Sequence, residues 1–471
     1  MGKTFAIIGP PGTGKTYEIE NLIQKHGTKS YLYLTYNRNM AEKARERIRD
    51  DSSMIATLHS AMARINGITE FMKIDDIKNF CKLMGLTYPL NGQINIDTGE
   101  TDWERFNRYY DTVINSLIKP YQPVNEKLNM PYLFDKYEEF KEKYLKFDYT
   151  DILKEGATHR YYRECLYVDE AQDMTALMWK IIDQIDSEEK YIVGDPHQSI
   201  YGFRGVNVND FKAHLNSYKV LSQSHRYGDN LRALSQRALS FGKVIDMDYR
   251  GLGETTIDTY TLDSMAKLPG TKAILCRTQN LAKYIANNLP YAVIPINPEH
   301  SYGNGWTSTT FRIGKIMRKW YSNNLTLEEI KYIMSHSPAN LWIRGTKTKV
   351  LKDPSIFSYD MIQTKMSSAE IINRLDIQEN VKTNAKRLLR EDLPVIYCDT
   401  IHASKGLEFD HVMLVMDLPL READNMTPEE YRILYVGLTR AKKSIQFLNL
   451  GYYKGTYHIP TVSKSISPLT A

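Results

Sequence analysis

Cysteine is scarce in this 471-residue chain: Cys81, Cys165, Cys276 and Cys398 lie far apart, and none forms a CxxC pair. That spacing excludes zinc, iron–sulfur and disulfide frameworks, which need clustered or regularly paired thiols. No apolar run reaches the length that crosses a bilayer. The opening MGKTFAIIGPPG passes straight into a glycine-rich loop, so no secretory leader is expected there. Gly2 is present, but Ala6 stands where N-myristoylation needs Ser or Thr. From these features a cytoplasmic protein is expected, in the host cell if the protein is viral, with no membrane partner. No repeat of solenoid period and no low-complexity tract occurs. Acidic residues are missing after Glu430, while Arg432, Arg440, Lys442, Lys443, Lys454 and Lys464 follow. Over the whole chain 61 basic residues face 56 acidic ones, a net +5 that permits nucleic-acid binding without demanding it.

What is present reads as an ordinary globular composition, 42% hydrophobic and 25% charged, long enough for about two to four domains. Short β-rich runs at 4–9, 30–35, 165–168, 191–193, 273–276, 395–399 and 411–415 alternate with helical patterns. That alternation predicts an α/β fold with parallel sheets, whose ligands bind at the carboxyl ends of the strands. Residues 65–147 and 297–392 lack the alternation and read as mainly helical insertions.

Gly9-Pro10-Pro11-Gly12-Thr13-Gly14-Lys15-Thr16 matches GxxxxGK[ST] between a strand and a helical pattern. Glycines at this spacing let backbone N–H groups close around phosphate oxygens. Lys15 then reaches the β/γ-phosphates and Thr16 can ligate Mg²⁺. Asp169 and Glu170 follow the apolar strand 165–168. Asp169 is placed to hold Mg²⁺ and Glu170 to activate a water, although two carboxylates also suit an exposed helix start. GDPHQSIYGFRG, residues 194–205, sets Gln198, a group able to sense a terminal phosphate, close to Tyr201, Phe203 and Arg204. Rings stack on nucleobases without regard to sequence, and arginine adds phosphate pairing.

These residues resemble the superfamily-one DNA helicases of the UvrD/Rep/PcrA type. VDEAQD at 168–173 is similar to the family's Walker B, GDPHQSIYGFRG to its third motif and SQSHR at 222–226 to its fourth. TIHASKGLEFD at 400–410 and LYVGLTRAKK at 434–443 resemble the fifth and sixth. TYNRNMAEKARERI at 35–48, TLHS at 57–60 and FDYTDIL at 147–153 resemble the remaining short motifs, all in family order.

The resemblance implies two RecA-like P-loop domains using ATP and Mg²⁺. Their boundaries are 1–64 with 148–222, and 223–296 with 393–455; the insertions occupy 65–147 and 297–392, and a tail 456–471. Lys15, Thr16, Asp169, Glu170 and Gln198 would bind and hydrolyse MgATP, with Thr16 and Asp169 on the metal. Arg226 and Arg440 would be arginine fingers, and Glu408 would take the ribose hydroxyls. Without the resemblance both arginines read as surface residues, and His59 as a satisfied core histidine. With it, Tyr36, Asn37, His59, Tyr201, Phe203, Arg204 and His402 would touch single-stranded DNA.

The sequence also departs from the family. Only residues 1–3 precede the first strand, so the family's upstream adenine-reading glutamine has no counterpart. His225 replaces a tyrosine, Tyr17 an arginine and Phe203 a tryptophan. Tyr17 and His225 are expected to sandwich the purine, with relaxed choice of base. The second insertion is short, and its Arg344, Lys347, Lys349 and Lys352 form either a solvated surface or a duplex-facing patch. The implied activity is 3′-to-5′ translocation on single strands with unwinding at single/double-strand junctions. A translocase that strips bound proteins and an ATP-gated binding switch are the alternatives. The expected molecule is a monomer or weak dimer, with an unidentified replication or repair protein as partner.

Overall fold

The computed structural model describes residues 2–27, 29–36, 38–48, 54–88, 101–258, 261–289, 292–297, 307–322, 324–363, 366–389, 395–459 and 467–468. Two compact units emerge. The first comprises Met1–Arg226, Leu239–Leu252 and Thr427–Arg432, and the second Tyr227–Ala238, Gly253–Met426 and Ile433–Ala471.

The first unit is built on a parallel sheet of β1 (Lys3–Ile8), β2 (Tyr31–Thr35), β3 (Met54–Thr57), β4 (Cys165–Val168), β5 (Glu189–Gly194) and β6 (Tyr218–Val220), in the spatial order β3-β2-β4-β5-β1-β6. Every residue of β2 and β4 is buried, the continuous apolar reading of strands covered on both faces. Register brings Ile8 level with Gly194 and Val168 level with Ile192. The residues that follow, Gly9, Asp169 and Asp195, therefore emerge along one edge of the sheet. The second unit repeats the design with β7 (Thr256–Ile257), β8 (Lys272–Cys276), β9 (Ala292–Ile294), β10 (Val395–Thr400), β11 (Phe409–Val415) and β12 (Ala441–Asn449), ordered β7-β12-β11-β8-β10-β9, all parallel. The strip Ser467–Pro468 pairs with β12.

Each helical stretch has a hydrophobic cluster of its own. Helices Ile74–Met84, Asp102–Asn115 and Met130–Tyr144 pack Phe80, Phe106, Tyr110, Tyr137 and Phe140 together. The middle helix begins at a capping box in which Thr101 and Glu104 exchange hydrogen bonds. In the second unit Ile313, Trp320, Ile333, Trp342 and Ile372 form the corresponding cluster. Of the basic residues there, Lys347 donates to the Ser337 carbonyl, while Arg344, Lys349 and Lys352 are exposed.

The first unit extends past the expected change-over at 222/223. The Ser224 hydroxyl donates to the Pro11 carbonyl at 2.7 Å and the His225 N–H to that of Gly12 at 3.0 Å, tying 224–226 to the glycine-rich loop. All four cysteines are free and buried. Among the described residues no helix is long and apolar enough to cross a membrane.

Candidate nucleotide and nucleic-acid sites

The loop after β1 turns on Gly12 and Gly14, whose φ angles of 80° and 82° favour glycine. Gly12 is also pressed against the fourth motif: a Cβ there would lie 2.5 Å from the Cβ of Arg226. Gly9 is similarly closed, since its Cβ would meet Thr13 Oγ1 at 2.5 Å, and that hydroxyl donates to the Pro10 carbonyl at 2.8 Å. Helix Lys15–His26 starts at once, so its first N–H groups face the loop with the positive end of the helix dipole. Lys15 is buried, with Nζ donating to the carbonyls of Gly9 (2.8 Å) and Pro10 (3.2 Å). A glycine-lined concavity with one lysine and a helix start fits a phosphate chain.

Thr16 Oγ1 donates to Asp169 Oδ2 at 3.1 Å, and Tyr33 Oη donates to the same oxygen at 3.0 Å. Two hard oxygen donors this close suit Mg²⁺. Burial, and then the charge of Glu170, push the Asp169 carboxyl upward, while Lys15 pulls it down. Glu170 sits in the left-handed region at φ 51°, held by its N–H bond to Asp169 Oδ1 at 2.9 Å. Such strain in a non-glycine residue costs about 1–2 kcal/mol and gathers at functional sites.

A residue the motif reading passed over completes the arrangement. Gln172 donates to Glu170 Oε2 at 2.5 Å and accepts from the Asp195 N–H at 2.9 Å. Asp195 Oδ2 in turn accepts from Gln198 Nε2 at 2.8 Å. Glu170, Gln172, Asp195 and Gln198 thus form one hydrogen-bonded path from the end of β4 to the end of β5. The only sequence signal was the position of Gln172 inside VDEAQD.

Beyond Gln198 the chain enters an aromatic cluster. Tyr36 and Tyr201 stack at 5.2 Å and 16°, and Phe203 meets Tyr201 edge-on at 6.0 Å. The Arg204 guanidinium lies 5.6 Å from both the Tyr201 and Phe203 rings and donates to Tyr36 Oη at 3.4 Å. Phe203 is 50% exposed. His59 is half-buried and held near pKa 4 by burial, so it is neutral at pH 7. Its ring meets Tyr149 edge-on at 6.4 Å, and Tyr149 stacks on Phe71 at 6.5 Å. Asn37 lies outside the described residues.

Tyr17 (64% exposed) and His225 flank the glycine-rich loop as exposed rings. The other expected site residues belong to the second unit. His402 is half-buried in the turn after β10. Glu408 pairs with Lys442 at 3.6 Å. Arg440 is buried within its own unit, donating through Nε to the Val436 carbonyl (2.9 Å) and through Nη1 to that of Leu407 (3.1 Å).

Comparison with known families matches residues 1–204 to an AAA domain and residues 323–449 to the UvrD-like helicase C-terminal domain. The chain belongs to the UvrD-like superfamily-one DNA helicases. The two parallel sheets are the RecA-like domains of that family. Similar proteins include F-box DNA helicase 1 of Gallus gallus, 24% identical over 94% of this chain and 47% of that protein. The F-box DNA helicase protein 1 of Schizosaccharomyces pombe is 25% identical over 59% of this chain and 33% of that protein. The ATP-dependent DNA helicase Rep of Buchnera aphidicola is 22% identical over 60% of this chain and 62% of its own length. The chain thus spans less than two thirds of each of these UvrD-like relatives.

Proposed function

We propose that the chain is an ATP-dependent DNA helicase that moves 3′-to-5′ along single-stranded DNA and separates duplex ahead of it. The observation that carries this reading is the path Glu170–Gln172–Asp195–Gln198, which runs from the water-activating carboxylate to the turn bearing Tyr201, Phe203 and Arg204. A motor needs such a link, because the state of the nucleotide has to alter the grip on the strand.

Lys15 and the loop N–H groups hold the phosphates, and Thr16 and Asp169 hold Mg²⁺. Bound MgATP supplies the phosphoanhydride whose cleavage drives the cycle. Glu170 accepts the proton of the attacking water, and Gln198 senses the terminal phosphate. Arg226 and Arg440 act as arginine fingers. Glu408 takes the ribose hydroxyls and the exposed rings of Tyr17 and His225 the base, so GTP is accepted beside ATP. Tyr36, His59, Tyr201, Phe203, Arg204 and His402 contact the strand.

The test is ATP-driven separation of matched duplexes carrying either a 3′ or a 5′ single-stranded tail. Opening only the 3′-tailed substrate is expected. Opening only the 5′-tailed one overturns the polarity. If neither opens while single strands still stimulate ATP hydrolysis, the chain is a translocase.

A further inference from the structure

The turn 199–204 is gripped by a helix from the far end of the sequence. On helix Pro428–Leu438, Glu429 Oε1 accepts the Gly202 N–H at 2.8 Å, and Arg432 Nε donates to the Ser199 carbonyl at 2.8 Å. Residues three apart share one helical face, so both side chains reach the same turn. Approach is close: a Cβ on Gly202 would lie 2.4 Å from Glu429 Oε2. Gly202 is not in the left-handed region, so a Cβ there would act by displacing the Glu429 carboxylate and not by straining the backbone. Arg432 is buried at 9% exposure, and its desolvated guanidinium makes the Ser199 bond hard to replace with water. The gripped turn carries Tyr201, Phe203 and Arg204, and Gln198 immediately precedes it.

We propose that Glu429 and Arg432 are positioning residues that hold the 199–204 turn, and that their grip sets how strongly single-stranded DNA accelerates ATP turnover. The inference rests on the helicase reading above. A simpler role for Glu429 would be to complement the dipole at the start of its helix, where it lies in the first turn. The two roles separate chemically: the grip needs an acceptor oxygen, the dipole needs a negative charge.

The experiment compares the ratio of DNA-stimulated to basal ATP turnover, with oligo(dT) as the strand, in the wild type, E429A, E429Q and G202A. E429A is expected to lower the ratio about tenfold, the order of one lost charge-assisted hydrogen bond. E429Q keeps an acceptor and should stay within about threefold of wild type. G202A, which drives a methyl into the carboxylate, should fall with E429A, and the double variant should be no worse than either single one. An E429A ratio equal to wild type overturns the proposal. So does equal damage in E429A and E429Q, which would assign Glu429 to the helix dipole. A wild-type chain that oligo(dT) does not stimulate overturns the helicase reading and this inference with it.

Discussion

Thr16 Oγ1 and Asp169 Oδ2, 153 residues apart in sequence, lie 3.1 Å apart in the fold. The hydroxyl that follows the loop lysine and the carboxylate that follows β4 are close enough for both to reach one cation, as the proposed function requires. T16A should lower Mg²⁺-dependent ATP turnover on the order of 10²-fold, and T16S by much less, because serine restores the oxygen. Steady-state ATPase measured across a Mg²⁺ titration decides it. A T16A chain with wild-type turnover would remove Thr16 from the metal site.

Phe203 is half exposed, with Tyr201 edge-on to its ring and Arg204 5.6 Å away. Base–aromatic stacking is worth about 1–3 kcal/mol per base, so F203A should weaken single-strand binding by about 5- to 150-fold. Fluorescence anisotropy with labelled oligo(dT) reads the loss, and the thermal midpoint should hardly move. Restoring tryptophan with F203W should bind at least as tightly as wild type. Weaker binding by F203W would mean the ring faces protein rather than base.

Asp111 is raised from 3.8 to about 6, mainly by burial; the Thr150 hydroxyl, donating at 3.0 Å, opposes the rise and the Asp148 charge adds to it. An acid whose folded pKa exceeds its unfolded one binds its proton more tightly when folded. Stability is therefore lost as pH climbs from about 4 to about 6, and the loss is complete above that window. D111N keeps an acceptor for Thr150 and removes the charge. It should melt higher than wild type at pH 7.5, with the difference shrinking below pH 6 and vanishing near pH 4. A difference independent of pH would refute the assignment.

Lys141, 4% exposed, donates to Asp148 (3.0 Å), Asp151 (2.8 Å) and Tyr110 (2.6 Å). Replacing it with methionine removes the cation shared by Asp148, Asp151 and Glu138; Asp151 and Glu138 keep Lys154, and Asp148 loses its ion pair with this lysine. Breaking a buried pair typically costs about 3–5 kcal/mol. K141M should show a lower urea midpoint at neutral pH, partly recovered by adding D148N and D151N. Asp148 also caps the helix Tyr149–Gly156, which carries Tyr149 against His59. K141M should therefore weaken DNA binding as well. A midpoint unchanged in urea would show that water replaces the lysine.

Much of the fold could be read in advance because it is local. β2 and β4 were visible as unbroken apolar runs, the pattern of strands buried on both faces. Strands β3, β6 and β9 are not among the runs expected from the sequence, although they are as long as some that are. β12 was hidden because AKKSIQFLN begins inside LYVGLTRAKK, and its lysines obscure the apolar stretch that follows. In the site, the GxxxxGK[ST] spacing located Lys15 and Thr16, whereas Gln172 and Tyr33 gave no spacing signal.

The sequence by itself determined the phosphate loop, the carboxylates after β4, the rings of the 194–205 stretch and the parallel α/β class, because turn chemistry and strand burial act between near neighbours. Only the tertiary structure decided that Tyr33 backs Asp169, that Gln172 bridges Glu170 to Asp195, and that Glu429 and Arg432 grip a turn 227 and 233 residues away. Those partners meet through sheet order and helix packing, and no local periodicity records which distant side chain will arrive at a given hydrogen bond.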